Sequence, residues 1–527
     1  MRNFHLPGRS PVYSQNGMVA TSHPVAAQVA LSALKKGGNA VDAALAAALV
    51  LPICEPQMTG LFGDMFALVK PSGTDKIVGL NSSGRSPKRL NSEILRDKGF
   101  LRIDANSHHS VTLPGAVIGF EKLANDYGKL GLSEACEPAI YYAEKGVPVS
   151  PRVAFDWEKN AHLLSHIAQK FYLIDGRIPK SGEVFRAPQQ AEVLRKIQKA
   201  GANDFYSGEI AEDFVSSLSN LGGLHTMDDL ASVSCDYVEP ISAFYGNLEL
   251  VELPPNGQGA TALLLAKIMS NFDLANLSET EAQRIHWEAE AVKLAHKARN
   301  ELISDPDSLN LPVQELFSDN LASELAASIK SDRASPNLPA STEEFHLDTV
   351  LITVVDKDQC AVSLIFSIFH SFGSGHSSEK FGLLFQNRGA AFTLKKNHPN
   401  ELQGYKRPLH TIIPAMVKKD GRVHLSYGVM GGQYQPTGHV RILSNLQDYK
   451  MDLQEAIDYP RSFADTSGLL LEDGYSESVE KQLQNLGHEI IRPISPLGGA
   501  QAIELNYDNG VLIGASDARK DGLAIGY

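Results

Sequence analysis

The sequence predicts a layered α+β fold built around a central sheet. Helix signals dominate the first 300 residues, two β-hairpin patterns open the last third, and helical stretches return after them. The strand runs 350–355 and 361–368 are apolar on both faces, so they are expected to be covered on two sides.

Ser22-His23-Pro24 caps a helix over 25–36, with Pro in its first turn and Gly37-Gly38 at its stop. Asn39 opens a second helix over 40–51, rich in Ala and apolar nearly all round, as a helix inside a large core should be. Gly60-Leu61-Phe62-Gly63-Asp64 reads as a turn into a strand over 65–70. Pro114-Gly115 starts a helix that runs to about Asp126. Further helices are expected over 138–145, 189–199 and 281–302, the last halted at Asp305-Pro306. A hairpin then joins 350–355 to 361–368 through Asp356-Lys357-Asp358-Gln359. A second joins 412–417 to 423–427 around Lys418-Lys419-Asp420-Gly421. Helices over 439–448 and 476–485 follow.

A chain of 527 residues can hold one large core or two to three domains. With 48 basic and 61 acidic residues its net charge is −13, which disfavours nucleic acid and anionic membrane as partners. Cys54, Cys136, Cys235 and Cys360 are scattered, without CxxC or Cys/His ligand spacing, so neither a disulfide nor a metal site is expected. The first residues lack the apolar core of a signal peptide, and the apolar stretch 40–53 is interrupted by Asp42 and Pro52. A cytoplasmic protein is expected. Gly373-Ser374-Gly375 is followed by no helix with an early Lys, so a phosphate-binding loop is not supported.

Asp348-Thr349 sits where a polar, proline-bearing loop gives way to the apolar run Val350–Val355. A chain cut before Thr349 would carry a hydroxyl nucleophile and an α-amine on one residue, a known way to activate a weak hydroxyl. Alone, the pair reads more readily as a loop feeding a buried strand. Its neighbours in sequence change that reading.

Met18-Val19-Ala20-Thr21-Ser22-His23-Pro24, Gly37-Gly38-Asn39-Ala40-Val41-Asp42-Ala43-Ala44, Pro114-Gly115, Pro254-Pro255-Asn256-Gly257-Gln258-Gly259, Asp348-Thr349, Val354-Val355-Asp356, Phe372-Gly373-Ser374-Gly375, Lys406-Arg407-Pro408 and Gly431-Gly432 follow one another in order. Together they resemble the γ-glutamyltransferase family of N-terminal-nucleophile hydrolases, over nearly the whole chain. The resemblance implies a four-layer αββα sandwich and a proenzyme cut between Asp348 and Thr349. Residues 1–348 would form a large subunit and 349–527 a small one, both sharing one core. It implies no cofactor, Thr349 as nucleophile, and an oxyanion site at Gly431 and Gly432.

Six positions depart from the family pattern, two of them His410 and Thr411, which stand where the family places serines after Lys-Arg-Pro-Leu. Ser83 stands where members acting on γ-glutamyl compounds place an Arg for the substrate carboxylate, and Ala391 where they place an acid for the substrate ammonium. Phe369 replaces an Asn near the nucleophile, and Phe62 occupies a turn that usually holds Gly. A glutamyl zwitterion bound without both partners would cost several kcal/mol. The pattern therefore looks closer to a branch resembling glutathione hydrolase-like proteins and oxamate amidohydrolases. There Arg85 and Arg388 become candidates for a substrate carboxylate, because a guanidinium pairs with it bidentately. Ser367, Asn387, His410 and Thr411 are further candidates at the substrate site, with strand or packing roles as the alternatives.

The expected function is self-processing hydrolysis of an amide in a small carboxylate-bearing substrate through a threonyl ester, with hydrolysis favoured over transfer. A γ-glutamyl hydrolase proper and an oxamate-type amidohydrolase are the alternatives within that class. An unprocessed, non-catalytic binding protein is the alternative outside it.

Overall fold

The computed structural model describes residues 5, 8–276, 282–336 and 349–527. The strands of its two large sheets, in chain order, are β1 (Val12–Ser14), β2 (Met18–Thr21), β3 (Asp64–Lys70), β4 (Val78–Ser82), β5 (Asp236–Val238), β6 (Ile241–Tyr245), β7 (Leu248–Glu252), β8 (Val350–Val355), β9 (Ala361–Ser367), β10 (Ala415–Lys419), β11 (Arg422–Met430), β12 (Gly499–Asn506), β13 (Val511–Ser516) and β14 (Leu523–Gly526). They form two seven-stranded sheets, ordered β14-β2-β8-β9-β3-β4-β5 and β1-β13-β12-β11-β10-β7-β6.

The layers follow from the two-residue period of the strands. In β8, Val350, Ile352 and Val354 pack outward against α1 (Pro24–Lys35), α2 (Ala40–Cys54), α3 (Ala116–Tyr127) and α4 (Leu132–Lys145). Leu351 and Val355 point the other way, into a core shared with Phe66, Met416, Met430 and Ile503 between the sheets. The outer face of the second sheet is covered by α5 (Gly259–Met269), α6 (Ala282–Leu302) and α7 (Gln435–Gln447). The αββα sandwich expected from the sequence is therefore present.

Local chemistry explains most element ends. Asn39 accepts from the N–H groups of Val41 (3.0 Å) and Asp42 (3.1 Å), and Asp42 accepts from Asn39 N–H (2.9 Å), so α2 opens on a capping box. Asp356, past the end of β8, accepts from the first N–H of α2 at Ala40 (3.0 Å) and ties helix to strand. The β10–β11 turn places Asp420 and Gly421 at positive φ (51° and 78°), the geometry of a tight hairpin.

Several boundaries differ from expectation. α2 continues through Pro52 to Cys54, and α4 begins six residues before Pro138. β10 starts at Ala415 rather than at 412, because Pro414 has no N–H to give a ladder. α7 starts at Gln435 rather than at 439, with Pro436 in its first turn.

Phe62 has a clear structural role. Its ring stacks on Phe385 (centroids 5.6 Å apart) and meets the edges of Phe214 (4.9 Å) and Phe205 (5.5 Å). It joins the turn before β3 to the helices that cover the sheet. Phe62→Ala should remove this cluster at a cost of about 3–5 kcal/mol. Denaturant unfolding of the full chain reads this directly; a loss under about 1 kcal/mol would contradict the assignment.

Candidate active site

Asp64, the first residue of β3, is a fully buried carboxylate surrounded by donors. Oδ1 accepts from Gly84 N–H (2.8 Å), Gly115 N–H (3.3 Å) and the Gln386 side-chain amide (3.0 Å). Oδ2 faces His410 Nε2 at 3.0 Å. Burial and the nearby Arg388 push the His410 pKa down to about 3. The ring is therefore neutral, donates from Nε2 to Asp64, and accepts at Nδ1 from Ile412 N–H (3.4 Å).

From Asp64 a closed circuit of contacts runs through most of the sequence-derived candidates. Asp64 pairs in register with Ser367 of β9. Ser367 Oγ accepts from Phe369 N–H (2.8 Å). The Phe369 ring lies 3.8 Å from the Arg388 guanidinium carbon, and Phe369 holds a φ of 81°, a conformation costly for a bulky side chain. Arg388 Nη1 donates to Thr411 Oγ1 (2.9 Å), and Thr411 follows His410, which returns to Asp64. Asn387 supports the turn from beneath, accepting from His370 N–H (3.1 Å) and donating to Ala105 O (3.2 Å).

Thr349 is buried at the mouth of β8. Val350 pairs with Phe366, so continuing the register by one residue sets Thr349 opposite Ser367. The approach of the two sheets places it on the other side too. Thr353 Oγ1 meets Ser426 Oγ at 2.7 Å, and a Cβ on Gly428 would come within 2.9 Å of Leu351. The same two-residue step, continued, points from Thr349 towards Met430, which precedes Gly431 and Gly432. Both glycines have positive φ (122° and 54°), and a Cβ on Gly431 would come within 2.8 Å of Gly498 Cα. Gly432 begins a 3-10 turn that runs into α7, so this corner is a helix N-terminus with N–H groups that lack intrahelical partners. Gln258 fixes it, donating to Gly432 O (2.9 Å) and Thr411 O (2.6 Å) and accepting from Arg299 Nη1 (2.8 Å).

Ser367, Asn387, Arg388, His410, Thr411 and the Gly431-Gly432 corner are thus linked through neighbouring contacts, and the β8 register extends towards Thr349. Arg85 is held apart: its Nη1 pairs with Asp305 (3.0 Å), its guanidinium lies 5.1 Å from the Tyr405 ring, and Asp305 also takes Arg407 N–H (2.7 Å). Ser83 belongs to a buried amide network with Asn81 (2.7 Å) and Asn256 (3.3 Å). Asp348, the other residue of the expected cut, lies outside the described residues. Sequence reasoning missed Asp64 and Gln258. An acid directly after Gly60-Leu61-Phe62-Gly63, at the start of an otherwise apolar strand, was the available signal for the first.

The neutral state of His410 carries a stability cost in acid. Its native pKa of about 3 lies below the ordinary 6.5, so the unfolded chain takes up a proton that the native chain refuses. That contribution is whole above pH 6.5 and is lost as pH falls towards 3. By pH 5 it amounts to roughly 2 kcal/mol. His410→Gln, which can still donate to Asp64, should lose stability less steeply than the parent between pH 6.5 and 5. Parallel curves of Tm against pH for the two proteins would contradict this.

Comparison with known proteins bears on this geometry. Residues 26–527 match the gamma-glutamyltranspeptidase family. The chain is similar to the glutathione hydrolase-like YwrD proenzyme of Bacillus subtilis, with 34% identity over 97% of this chain and 98% of that one. It is similar to the oxamate amidohydrolase proenzyme of Klebsiella pneumoniae, with 32% identity over 98% and 99%. Its structure resembles that of a cephalosporin acylase from Bacillus halodurans, with a TM-score of 0.93 and 35% identity over 100% and 99% of the two chains. With its αββα sandwich and a family match that spans nearly its whole length, the chain belongs to the γ-glutamyltranspeptidase family.

Proposed function

We propose that Thr349 is the nucleophile of a self-processing amidohydrolase acting on small amides that carry a carboxylate. The supporting observation is that Thr349 directly precedes a buried strand whose register with β9, extended by one residue, reaches Ser367, and whose contact at Gly428 lies two residues before Met430-Gly431-Gly432. In the first reaction the Thr349 hydroxyl attacks the Asp348 carbonyl and the acyl group moves from nitrogen to oxygen. Water then hydrolyses the ester, giving residues 1–348 and 349–527. The freed α-amine, with an ordinary pKa near ~7.7–8.0, can take the hydroxyl proton in the second reaction. Thr349 Oγ adds to the substrate amide carbonyl, and the negative oxygen falls at the Gly431-Gly432 corner, where backbone N–H groups and the helix terminus favour it. The amine product leaves with the proton, and water hydrolyses the threonyl ester.

Arg388 is the proposed carboxylate partner. It stands in the circuit beside Ser367 and Thr411, whereas Arg85 is neutralised by Asp305. Phe369 packs with Ala390 and Ala391, and Ala391 is the position where the family resemblance expects an acid for a substrate ammonium. This favours an oxamate-like substrate over a γ-glutamyl zwitterion.

The two products would remain interlocked: β2, β3, β4 and β5 precede the cut and β8, β9 and β14 follow it, within one sheet. Among the described residues no helix is long and apolar enough to cross a membrane. The expected cytoplasmic location stays part of the proposal, supported by four unpaired cysteines.

Intact mass and N-terminal sequencing should find two fragments, one beginning Thr349-Val350-Leu351. Thr349→Ala should stay whole and lose roughly 10³- to 10⁶-fold in turnover. A cut parent chain together with a cut, active Thr349→Ala protein would refute the assignment. For substrate class, ammonia release from oxamate should exceed cysteinylglycine release from glutathione. Arg388→Gln should lower kcat/KM on the carboxylate substrate roughly 10- to 100-fold while sparing an uncharged amide. Equal losses on both would remove Arg388 from substrate recognition.

A further inference from the structure

Away from this site, three donors of metal-ligand type converge from distant parts of the chain. His286 and Glu290 stand one turn apart on α6, and His488 follows the helix Glu477–Asn485. One donor atom from each lies within 4.8 Å of the other two, and all three residues are buried. We propose that they bind one divalent ion of the zinc class through His286 Nδ1, His488 Nε2 and a carboxylate oxygen of Glu290.

The first support is tautomeric. His286 Nε2 donates to the Lys330 carbonyl at 2.6 Å, which leaves a lone pair on Nδ1 facing His488 Nε2 at 2.8 Å. A far nitrogen held by a backbone carbonyl is the contact that orients metal-bound imidazoles. With zinc–nitrogen bonds of about 2.0–2.1 Å, two tetrahedral ligands stand about 3.3 Å apart, so the pair needs to open by only about half an ångström. The bridging proton sits on His488 Nε2, so as the ion enters this ring takes its other neutral tautomer, with the N–H moved to Nδ1 and the Nε2 lone pair freed for the metal.

Glu290 is braced but not saturated. Oε1 accepts from Lys293 Nζ (2.8 Å) and Oε2 from Ser335 N–H (3.0 Å), while a carboxylate has about four lone-pair sites. Two imidazoles and one carboxylate suit zinc-class ions rather than magnesium or calcium, which prefer oxygen shells. The Lys293 ammonium opposes a dication and sets the limit on affinity.

The location gives the ion a structural role. His286 and Glu290 precede Thr349 in the chain and His488 follows it. The same cluster grips the segment leading towards the cut: Lys293 Nζ also donates to Ser335 O (2.8 Å), and Ala334 N–H donates to Leu486 O (2.6 Å). If the chain is processed as proposed, the ion would cross-link the two products. Binding itself does not rest on that reading.

The test uses the full chain, stripped with EDTA and then dialysed against micromolar zinc chloride, with metal content measured by mass spectrometry alongside Tm. About one zinc per chain and a rise in Tm are expected for the parent. His286→Gln and His488→Gln should lose both. Lys293→Met should bind zinc more tightly than the parent although its zinc-free form is less stable, a reversal that a plain hydrogen-bond network would not give. Zinc content no higher in the parent than in His488→Gln, or an unchanged Tm on loading, would overturn the site and leave a hydrogen-bonded histidine pair only. Should a histidine variant not fold, the stripped and reloaded parent and Lys293→Met decide the question between them. Intact mass on the same samples separates the two proposals, because an uncut chain holding one zinc refutes the processing and keeps the site.

Discussion

The buried carboxylate of Asp64 is the constraint on which the rest of the site depends. A carboxylate removed from water is tolerable only when its oxygens are met by donors. Here the donors are Gly84 N–H, Gly115 N–H, the Gln386 amide and the His410 imidazole, drawn from four separate segments. Satisfying one charge therefore fixes the loop after β4, the start of α3, the turn before Asn387 and the approach to β10. Gly84 and Gly115 must be glycine for the same reason. A Cβ would come within 1.5 Å of Leu113 O at the first and 2.3 Å of Ser82 O at the second.

The same arrangement accounts for the departures from the family pattern. With Asp64 as anchor, His410 cannot act as a free acid or base near neutrality; it is a neutral donor with both ring nitrogens in use. Phe369 gives up an ordinary backbone conformation to place its ring on Arg388, and Ala391 packs beside it. These changes are concerted. Removing an acid at 391 without the Phe369 contact would leave the Arg388 charge less well met, so the altered residues form one repacked wall rather than independent losses.

Much of the fold was legible in the sequence because it rests on local rules. Asn39 with Asp42 made a capping box, Asp420-Gly421 made a tight turn, and the doubly apolar run Val350–Val355 could only be a covered strand. Boundaries set by longer-range chemistry were less visible. Pro52 and Pro138 lie inside helices that their neighbours hold together by burial, which periodicity alone does not reveal. In the site, Thr349 and the glycine pair are candidates proposed by motif. Asp64 and Gln258 stand in stretches that the sequence displays, but their roles rest on joining segments more than 150 residues apart, which the sequence does not show. The histidine–glutamate trio was hidden in the same way: His286 and His488 are 202 residues apart, so no ligand spacing exists to be read.

The contacts that place Thr349 are distinct from those that shape the substrate wall. Its position along β8 is set by Thr353 against Ser426 and Leu351 against Gly428, deep between the sheets, and by the β8–β9 register. The wall around Arg388 is set by turns outside the sheets, at 368–372 and 387–391. Sheet packing at near-crystalline density resists change, because any misfit is felt across the whole layer. Turns hung on a few hydrogen bonds accept substitution more easily. A chain built this way can exchange an acid for alanine and an asparagine for phenylalanine in the turns while the proposed nucleophile and the proposed oxyanion glycines keep their places at the sheets. On that proposal, reaction class and substrate class are held by different layers of one structure, and only the outer one has to change for a new amide to fit.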